Sequence, residues 1–249
     1  MGAKQKLLGA IFLVVMLGSI ACRDKNGPVK DVPILLFNGA GTSPNDVKAI
    51  EAILNRNSLS YATADSQQLN QIGETQLQKY HLLIVPGGNF VDMGNNLNNN
   101  TAAKIRNAVQ GGTNYLGICG GAFIAGNSPY NGFNLTSGVK FPFYSVENQG
   151  IRKTAVKITD ANGVALDQYW EDGPQLSGWG SVVAKYPDGT PAVVQGTVGS
   201  GWVILTGVHP EAPENWRSRM TFSTSADADH PYAATLIQAA LNRTSLPHY

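Results

Sequence analysis

The sequence predicts one α/β domain built on a mostly parallel sheet with helices on both faces. Three observations lead there. The runs "VPILLF" and "HLLIV" are continuously apolar, as strands buried on both faces must be, rather than alternating. Each run ends in a glycine-bearing turn, and segments with apolar residues at helical spacing separate them. The chain is 249 residues long and 43% hydrophobic, enough for a single sizeable core.

Taken in order, Val32–Phe37 is the first strand. "NGAGTSP" then turns the chain into a helix: Ser43 is the N-cap and Pro44 takes the first helical position, where its missing N–H costs nothing. Val47, Ile50 and Ile53/Leu54 recur on one side of that helix. "LSYATA" is a second strand, and His81–Gly88 holds a third that stops at Pro-Gly-Gly. "NNLNNN" reads as an exposed loop, after which Thr101 caps a helix with Ala102, Ile105 and Val109 inward and Gly111-Gly112 at its end. "TNYLGI" is the fourth strand, and another helix starts after Cys119.

From 128 to 185 short aromatic and β-branched runs are broken by Gly, Pro and Asn, which predicts an antiparallel excursion or irregular cap. "TPAVVQGTVGSGWVILTGVHPE" is a hairpin whose second arm, Trp202–Thr206, rejoins the sheet. A last helix runs from Pro231 to Asn242 with Ala234, Ile237 and Leu241 inward. In sheets of this kind the functional crevice lies beyond the carboxyl ends of the strands, so the turns after Phe37, Val85 and Ile118 are expected to meet.

The N-terminus has a different character. Lys4 and Lys6 precede an apolar stretch, Leu7–Leu17, and then small residues ending at Ala21, the order of a signal peptide over residues 1–21. Ser19-Ile20-Ala21-Cys22 resembles a bacterial lipobox, which makes Cys22 the expected lipidation site and residues 22–31 a polar tether ahead of a domain over 32–249. The expected location is therefore the bacterial cell envelope, as a lipoprotein or a periplasmic or secreted protein. Contact with the membrane would run only through the N-terminal lipid or anchor. Without residues 1–21, 16 basic face 17 acidic side chains. With no basic run longer than a pair, nucleic acid is not an expected partner. Cys22 and Cys119 are the two cysteines, so lipidation of Cys22 would leave Cys119 without an intramolecular partner.

Three motifs carry candidate chemistry. Gly117-Ile118-Cys119-Gly120-Gly121 fits a nucleophile elbow with cysteine in the serine position: a tight strand-to-helix turn lifts the side chain out, and only small neighbours fit around it. The Gly120 amide is placed to donate to an oxyanion. The plain alternative is a buried cysteine in a glycine-rich turn. Gly207-Val208-His209-Pro210-Glu211 follows a predicted strand, and His209 and Glu211 at i, i+2 share a side, so Glu211 could orient the imidazole while its other nitrogen serves as base. The alternative is a His-Pro turn with a solvated glutamate. Pro86-Gly87-Gly88 lets backbone amides approach a substrate, with Gly88 as a second donor, or is simply a tight turn. Pro44 stands where a dinucleotide fingerprint needs glycine, and no Cys/His cluster has metal-ligand spacing, so neither a cofactor nor a metal is expected. The stretch Tyr169–Gly180 is a candidate pocket border, with Trp179 as a lid or as core.

"VPGG", "YLGICGG" and "GVHPE", in that order, resemble the class I glutamine amidotransferase-like superfamily. The resemblance implies a flavodoxin-like sheet and a triad of Cys119 as nucleophile, His209 as base and Glu211 as orienting acid. "FNGAGTSPNDVKAI", "VPGGN", "YLGICGGAFIAG" and "LTGVHPEA" are similar, more narrowly, to the N-terminal domain of biotin–protein ligases. No GRGRRG-like biotin-binding loop occurs, so ligase activity is not expected. The reading that follows is a cysteine-dependent C–N hydrolase acting on a small-molecule or peptide amide. The competing readings are a non-catalytic module that keeps the pocket, and a redox-sensing thiol.

Overall fold

The structure, a computed structural model, describes residues 32–249; the expected signal peptide, lipidation at Cys22 and tether fall on residues outside those described. Nine strands form one sheet: β1 (Ile34–Phe37), β2 (Tyr61–Ala64), β3 (Leu82–Val85), β4 (Asn114–Ile118), β5 (Lys153–Asp160), β6 (Ala165–Glu171), β7 (Ser181–Lys185), β8 (Pro191–Val198) and β9 (Gly201–Thr206). Their spatial order is β2-β1-β3-β4-β9-β8-β7-β5-β6. The first five in that order pair in parallel. The pairings from β9 outward through β8, β7, β5 and β6 are antiparallel. The 128–185 excursion is therefore no separate cap: its strands extend the sheet.

Strand alternation sorts the parallel half into two layers. Leu35, Phe37, Leu83 and Val85 pack on one face against Ala102, Ile105 and Val109 of α5 (Asn99–Gln110) and against α6 (Gly120–Ala125). Ile34, Leu36, Leu82 and Ile84 pack on the other against Val47, Ile50 and Ile53 of α1 (Pro44–Arg56) and Leu236 and Ile237 of α7 (Ala226–Asn242). Every residue of β1, β3 and β4 is buried, which is why these strands read as unbroken apolar runs. Ser43 caps α1 as predicted, its Oγ accepting from the Asp46 amide at 3.3 Å. Among the described residues no helix is long and apolar enough to cross a membrane.

Two expectations are corrected. "NNLNNN" is not a loop: α4 (Phe90–Asn96) runs through its start and α5 begins at Asn99, because Asn98 rather than Thr101 is the N-cap, accepting from the Thr101 amide at 2.8 Å. The last helix starts at Ala226 rather than Pro231, since Ser225 caps it and Pro231 falls inside the helix. Both errors come from reading a conspicuous residue as the boundary when an Asn or Ser a few positions earlier supplies the capping oxygen. Two short helices, α2 (Ser66–Gln71) and α3 (Glu74–Leu77), fill the connection between β2 and β3.

The carboxyl ends of the parallel strands are stitched together by backbone hydrogen bonds. Ser43 N–H donates to Gly87 O at 3.0 Å and Asn89 N–H to Gly41 O at 2.8 Å, joining the turns after β1 and β3. Gly121 N–H donates to Pro86 O at 3.1 Å and Cys119 N–H to Thr206 O at 2.8 Å, which adds the ends of β4 and β9. One close approach is at Gly121, where a Cβ would lie 2.0 Å from Val85 O and 3.1 Å from Pro86 O, both backbone. Gly121→Ala is expected to cost about 1–3 kcal/mol by overpacking. The expected signature is a lower urea midpoint at unchanged denaturant dependence; an unchanged midpoint would show that the turns are not rigidly joined there.

Candidate active site

β4 runs straight into α6 with Cys119 as the only residue between them, at φ 48° and ψ −103°. A non-glycine residue at positive φ is strained backbone, and here it lifts the side chain off the end of the sheet as the elbow motif predicts. Cys119 is a free thiol, 5% exposed, and its Sγ donates to the Glu171 carbonyl oxygen at 3.4 Å. It lines a cavity of about 610 Å³ together with His209, Gly88 and Asn89. One wall of that cavity is aromatic, formed by Phe90, Phe123, Tyr130 and Phe143.

His209 follows β9 and is fixed through its backbone and its ring. Its N–H donates to Tyr169 O at 2.8 Å, a bridge that returns the end of β6 to the parallel half of the sheet. Its Nδ1 lies 2.9 Å from Glu211 Oε1 and 3.1 Å from Asp46 Oδ1. Nδ1 carries one proton: it is donated to Glu211, while Asp46 Oδ1 makes an ion-pair contact without a hydrogen of its own. With Nδ1 held by two carboxylates, Nε2 is the nitrogen free for a reacting group.

The electrostatics follow from burial, since Asp46, His209 and Glu211 are all 5% exposed or less. Desolvation alone would lower the His209 pKa. The charges of Glu211, Cys119 and Asp46 outweigh it and hold the imidazole well above its ordinary value. Burial raises the Glu211 carboxyl more than the His209 charge lowers it. At Asp46 burial also raises, but His209 and the hydrogen bond from Ser43 win and the carboxyl falls below its ordinary value. Desolvation and the hydrogen bond to Glu171 Oε2, 2.5 Å long, push the Tyr169 phenol far up, so it stays a donor.

The ligand atoms of Asp46, His209 and Glu211 lie within 4.8 Å of one another, a set that could hold a divalent cation. A protonated imidazole supplies the same carboxylates with a compensating positive charge and one Nδ1 proton, on Glu211 Oε1, while Asp46 Oδ1 and Glu211 Oε2 are left without a hydrogen.

The sequence-predicted catalytic and oxyanion residues lie at this carboxyl end. Cys119, His209 and Gly88 share the cavity, and Glu211 lies behind His209. Gly87 is a glycine because a Cβ would sit 2.2 Å from Asp46 Oδ1 and 2.6 Å from His209 Cε1. Gly120 packs on the Gly88 backbone: its Cβ would lie 2.4 Å from Gly88 O and 3.1 Å from Gly88 N. As the first residue of α6, Gly120 has an N–H without an intrahelical acceptor. Trp179 belongs elsewhere, its ring lying over Gly196 of β8, where an added Cβ would meet it at 3.2 Å. The aromatic residues beside His209 are Tyr169 and Trp216, with ring centroids 5.7 and 6.1 Å from that of the imidazole. The start of the predicted border Tyr169–Gly180 does line the cavities, through Tyr169, Glu171 and Asp172, whereas sequence reasoning missed Asp46 and Trp216. Only Asp46 left a trace, as an acid in the first turn of a capped helix.

Comparison with known proteins places this geometry. Residues 32–134 match the family model described as biotin–protein ligase, N terminal. The chain resembles the biotin–protein ligase N-terminal family. The matched segment, less than half of the chain, holds Asp46, Gly87, Gly88, Cys119 and Gly120 but not His209 or Glu211. The biotin–protein ligase of Schizosaccharomyces pombe is 27% identical over 159 residues, covering 52% of this chain and 25% of the ligase. The chain thus spans about a quarter of that relative's length. A crystal structure of a glutamine amidotransferase superposes with a TM-score of 0.58 at 16% identity, over 83% of this chain and 99% of that one. PurLQS from Thermotoga maritima gives 0.57 at 19% identity, over 86% and 100%. The biotin–protein ligase N-terminal-like segment therefore sits on the flavodoxin-like fold of class I glutamine amidotransferases.

A histidine raised in the folded state stabilises fully below its unfolded value near 6.5, and that contribution is lost as pH rises through the folded value. The NMR titration of the His209 Cε1–H should have its midpoint above 6.5, with stability falling across the same interval. Asp46→Asn and Glu211→Gln should each lower the midpoint. A midpoint at or below 6.5, or one unmoved by Asp46→Asn, would show that the carboxylates do not govern the ring.

Proposed function

We propose that this protein is an exported cysteine amidase, in which Cys119 attacks an amide carbonyl and water resolves the thioester. One observation carries the reading: a strained-turn cysteine shares a cavity with a histidine whose Nδ1 is held by buried carboxylates. That is the nucleophile, base and orienter arrangement of acyl transfer. With His209 held as imidazolium, Cys119 reacts as the thiolate: Sγ bonds to the carbonyl carbon, and the C–N bond breaks as His209 passes its Nε2 proton to the leaving amine. Water then adds with the now neutral His209 as base, releasing a carboxylic acid and restoring the thiolate–imidazolium pair. The Gly88 and Gly120 amides would donate to the tetrahedral oxyanion, a role whose loss costs about 100- to 1,000-fold in other acyl-transfer enzymes. Glu211 and Asp46 stabilise that imidazolium.

One observation favours a second reading, a ligand-binding pocket without turnover: the thiol donates to the Glu171 carbonyl, a contact a reacting thiol must give up. Iodoacetamide alkylation separates the two. His209→Ala should slow labelling of Cys119 at neutral pH by roughly tenfold or more, and Cys119→Ala should abolish it. Equal rates in wild type and His209→Ala would leave Cys119 an ordinary thiol and the amidase reading without a base.

A further inference from the structure

Two cavities meet at one wall. Ser43, Asp46 and Glu171 line both the 610 Å³ cavity that holds Cys119 and a second of about 270 Å³ lined by Asn45, Lys153, Asn215 and Trp216. Their chemistries differ. In the first, Phe123 stacks on Phe90 at 4.6 Å and packs against Phe143 at 4.8 Å. Phe143 and Tyr130 remain 39% and 41% exposed at its mouth, an exposure large aromatic side chains gain nothing from unless something apolar covers them. The second is hydrogen-bonding in character, with Trp216 its main apolar surface.

Given the amidase reading, on which this inference rests for the direction of cleavage, the chemistry fixes which half of a substrate goes where. The acyl group stays bonded to Sγ after the amine departs, so it occupies the cavity containing Cys119. The amine leaves with a proton from His209, and the residues that grip His209, Asp46 through its ring and Tyr169 through its backbone, line the polar cavity. We propose that the substrate is a secondary amide joining an aromatic, or comparably bulky apolar, acyl group to a small polar amine. Free glutamine fits poorly: its acyl chain ends in an ammonium, for which Asp172 lines the cavity, and in a carboxylate, which the aromatic wall does not partner. The nearby cation, Arg152, is already paired with Asp172 at 2.5 Å and Glu147 at 3.2 Å. Hydrolysis of such an amide yields the aryl-substituted carboxylic acid and the free amine, with one water consumed.

Calorimetric titration of the full-length Cys119→Ala protein tests this without needing turnover. Phenylacetylglycinamide carries both halves, acetylglycinamide lacks the aryl group, and phenylacetanilide lacks the polar amine. The first should bind about tenfold tighter than either of the others, as expected for an aromatic group seated on aromatic partners and a polar group satisfied across the wall. Adding Phe143→Ala, at an exposed position, should remove the aryl advantage and leave acetylglycinamide unchanged. Equal affinity for the phenylacetyl and acetyl compounds, no binding of any, or no effect of Phe143→Ala overturns the proposal. A protein that binds phenylacetylglycinamide but in wild-type form never hydrolyses it would sink the amidase reading and leave the ligand class standing. Hydrolysis of acetylglycinamide as fast as the phenylacetyl compound would do the reverse.

Discussion

Cys119 is held at φ 48° because the chain leaves β4 and enters α6 with no intervening loop, and the rest of the site depends on that turn. Such a conformation costs on the order of 1–3 kcal/mol and persists only where the surroundings over-determine it. They do so here from both sides. Cys119 N–H is tied to Thr206 O of β9, its own carbonyl accepts from Ala122 and Phe123, and Gly121 is pressed against the end of β3. The strained residue is thus braced by three parallel strands at once, and its sulfur stands above their carboxyl ends.

The base arrives by a longer route. His209 extends from β9, but its position is completed by elements far away in the chain: Glu211 two residues on, Asp46 from the first turn of α1 and the Tyr169 carbonyl from β6. The antiparallel half of the sheet, which carries none of the motif residues, curls back so that its last strand supplies both the backbone partner of His209 and the Glu171 carbonyl that holds the thiol. It walls the site and sets what can enter. In this molecule the parallel half carries Cys119 and His209, and the antiparallel half shapes the space around them.

Much of this was legible in the sequence where local chemistry decides. The strands of the parallel half are buried on both faces, so "VPILLF" and "HLLIV" read as strands without ambiguity. Ser43-Pro44 marks the start of α1 because capping is a local matter. Cys119, His209, Glu211 and the glycines stand in compact motifs whose spacing fixes their geometry. The boundaries of α5 and α7 were misread because Asn98 and Ser225 compete with more conspicuous neighbours, and three residues change which helix turn a side chain occupies. Tyr169 and Glu171 were legible only as members of the aromatic stretch Tyr169–Gly180, without roles, and Asp46 and Trp216 not as site residues at all, because no local pattern encodes them: each reaches the site only through tertiary contacts. Trp179 shows the converse, an aromatic in a suggestive stretch that the fold uses for packing on Gly196.

The central claim, that this turn delivers a nucleophile activated by His209, is tested most directly by trapping the acyl-enzyme. The protein is mixed with p-nitrophenyl acetate, quenched in acid within the burst and digested with trypsin, and the peptide Asn107–Lys140, which contains Cys119, is weighed. The account predicts one acetyl group on that peptide, at Cys119, removed by hydroxylamine and formed far more slowly in His209→Ala. An unmodified peptide, or equal acetylation with and without the histidine, would contradict it.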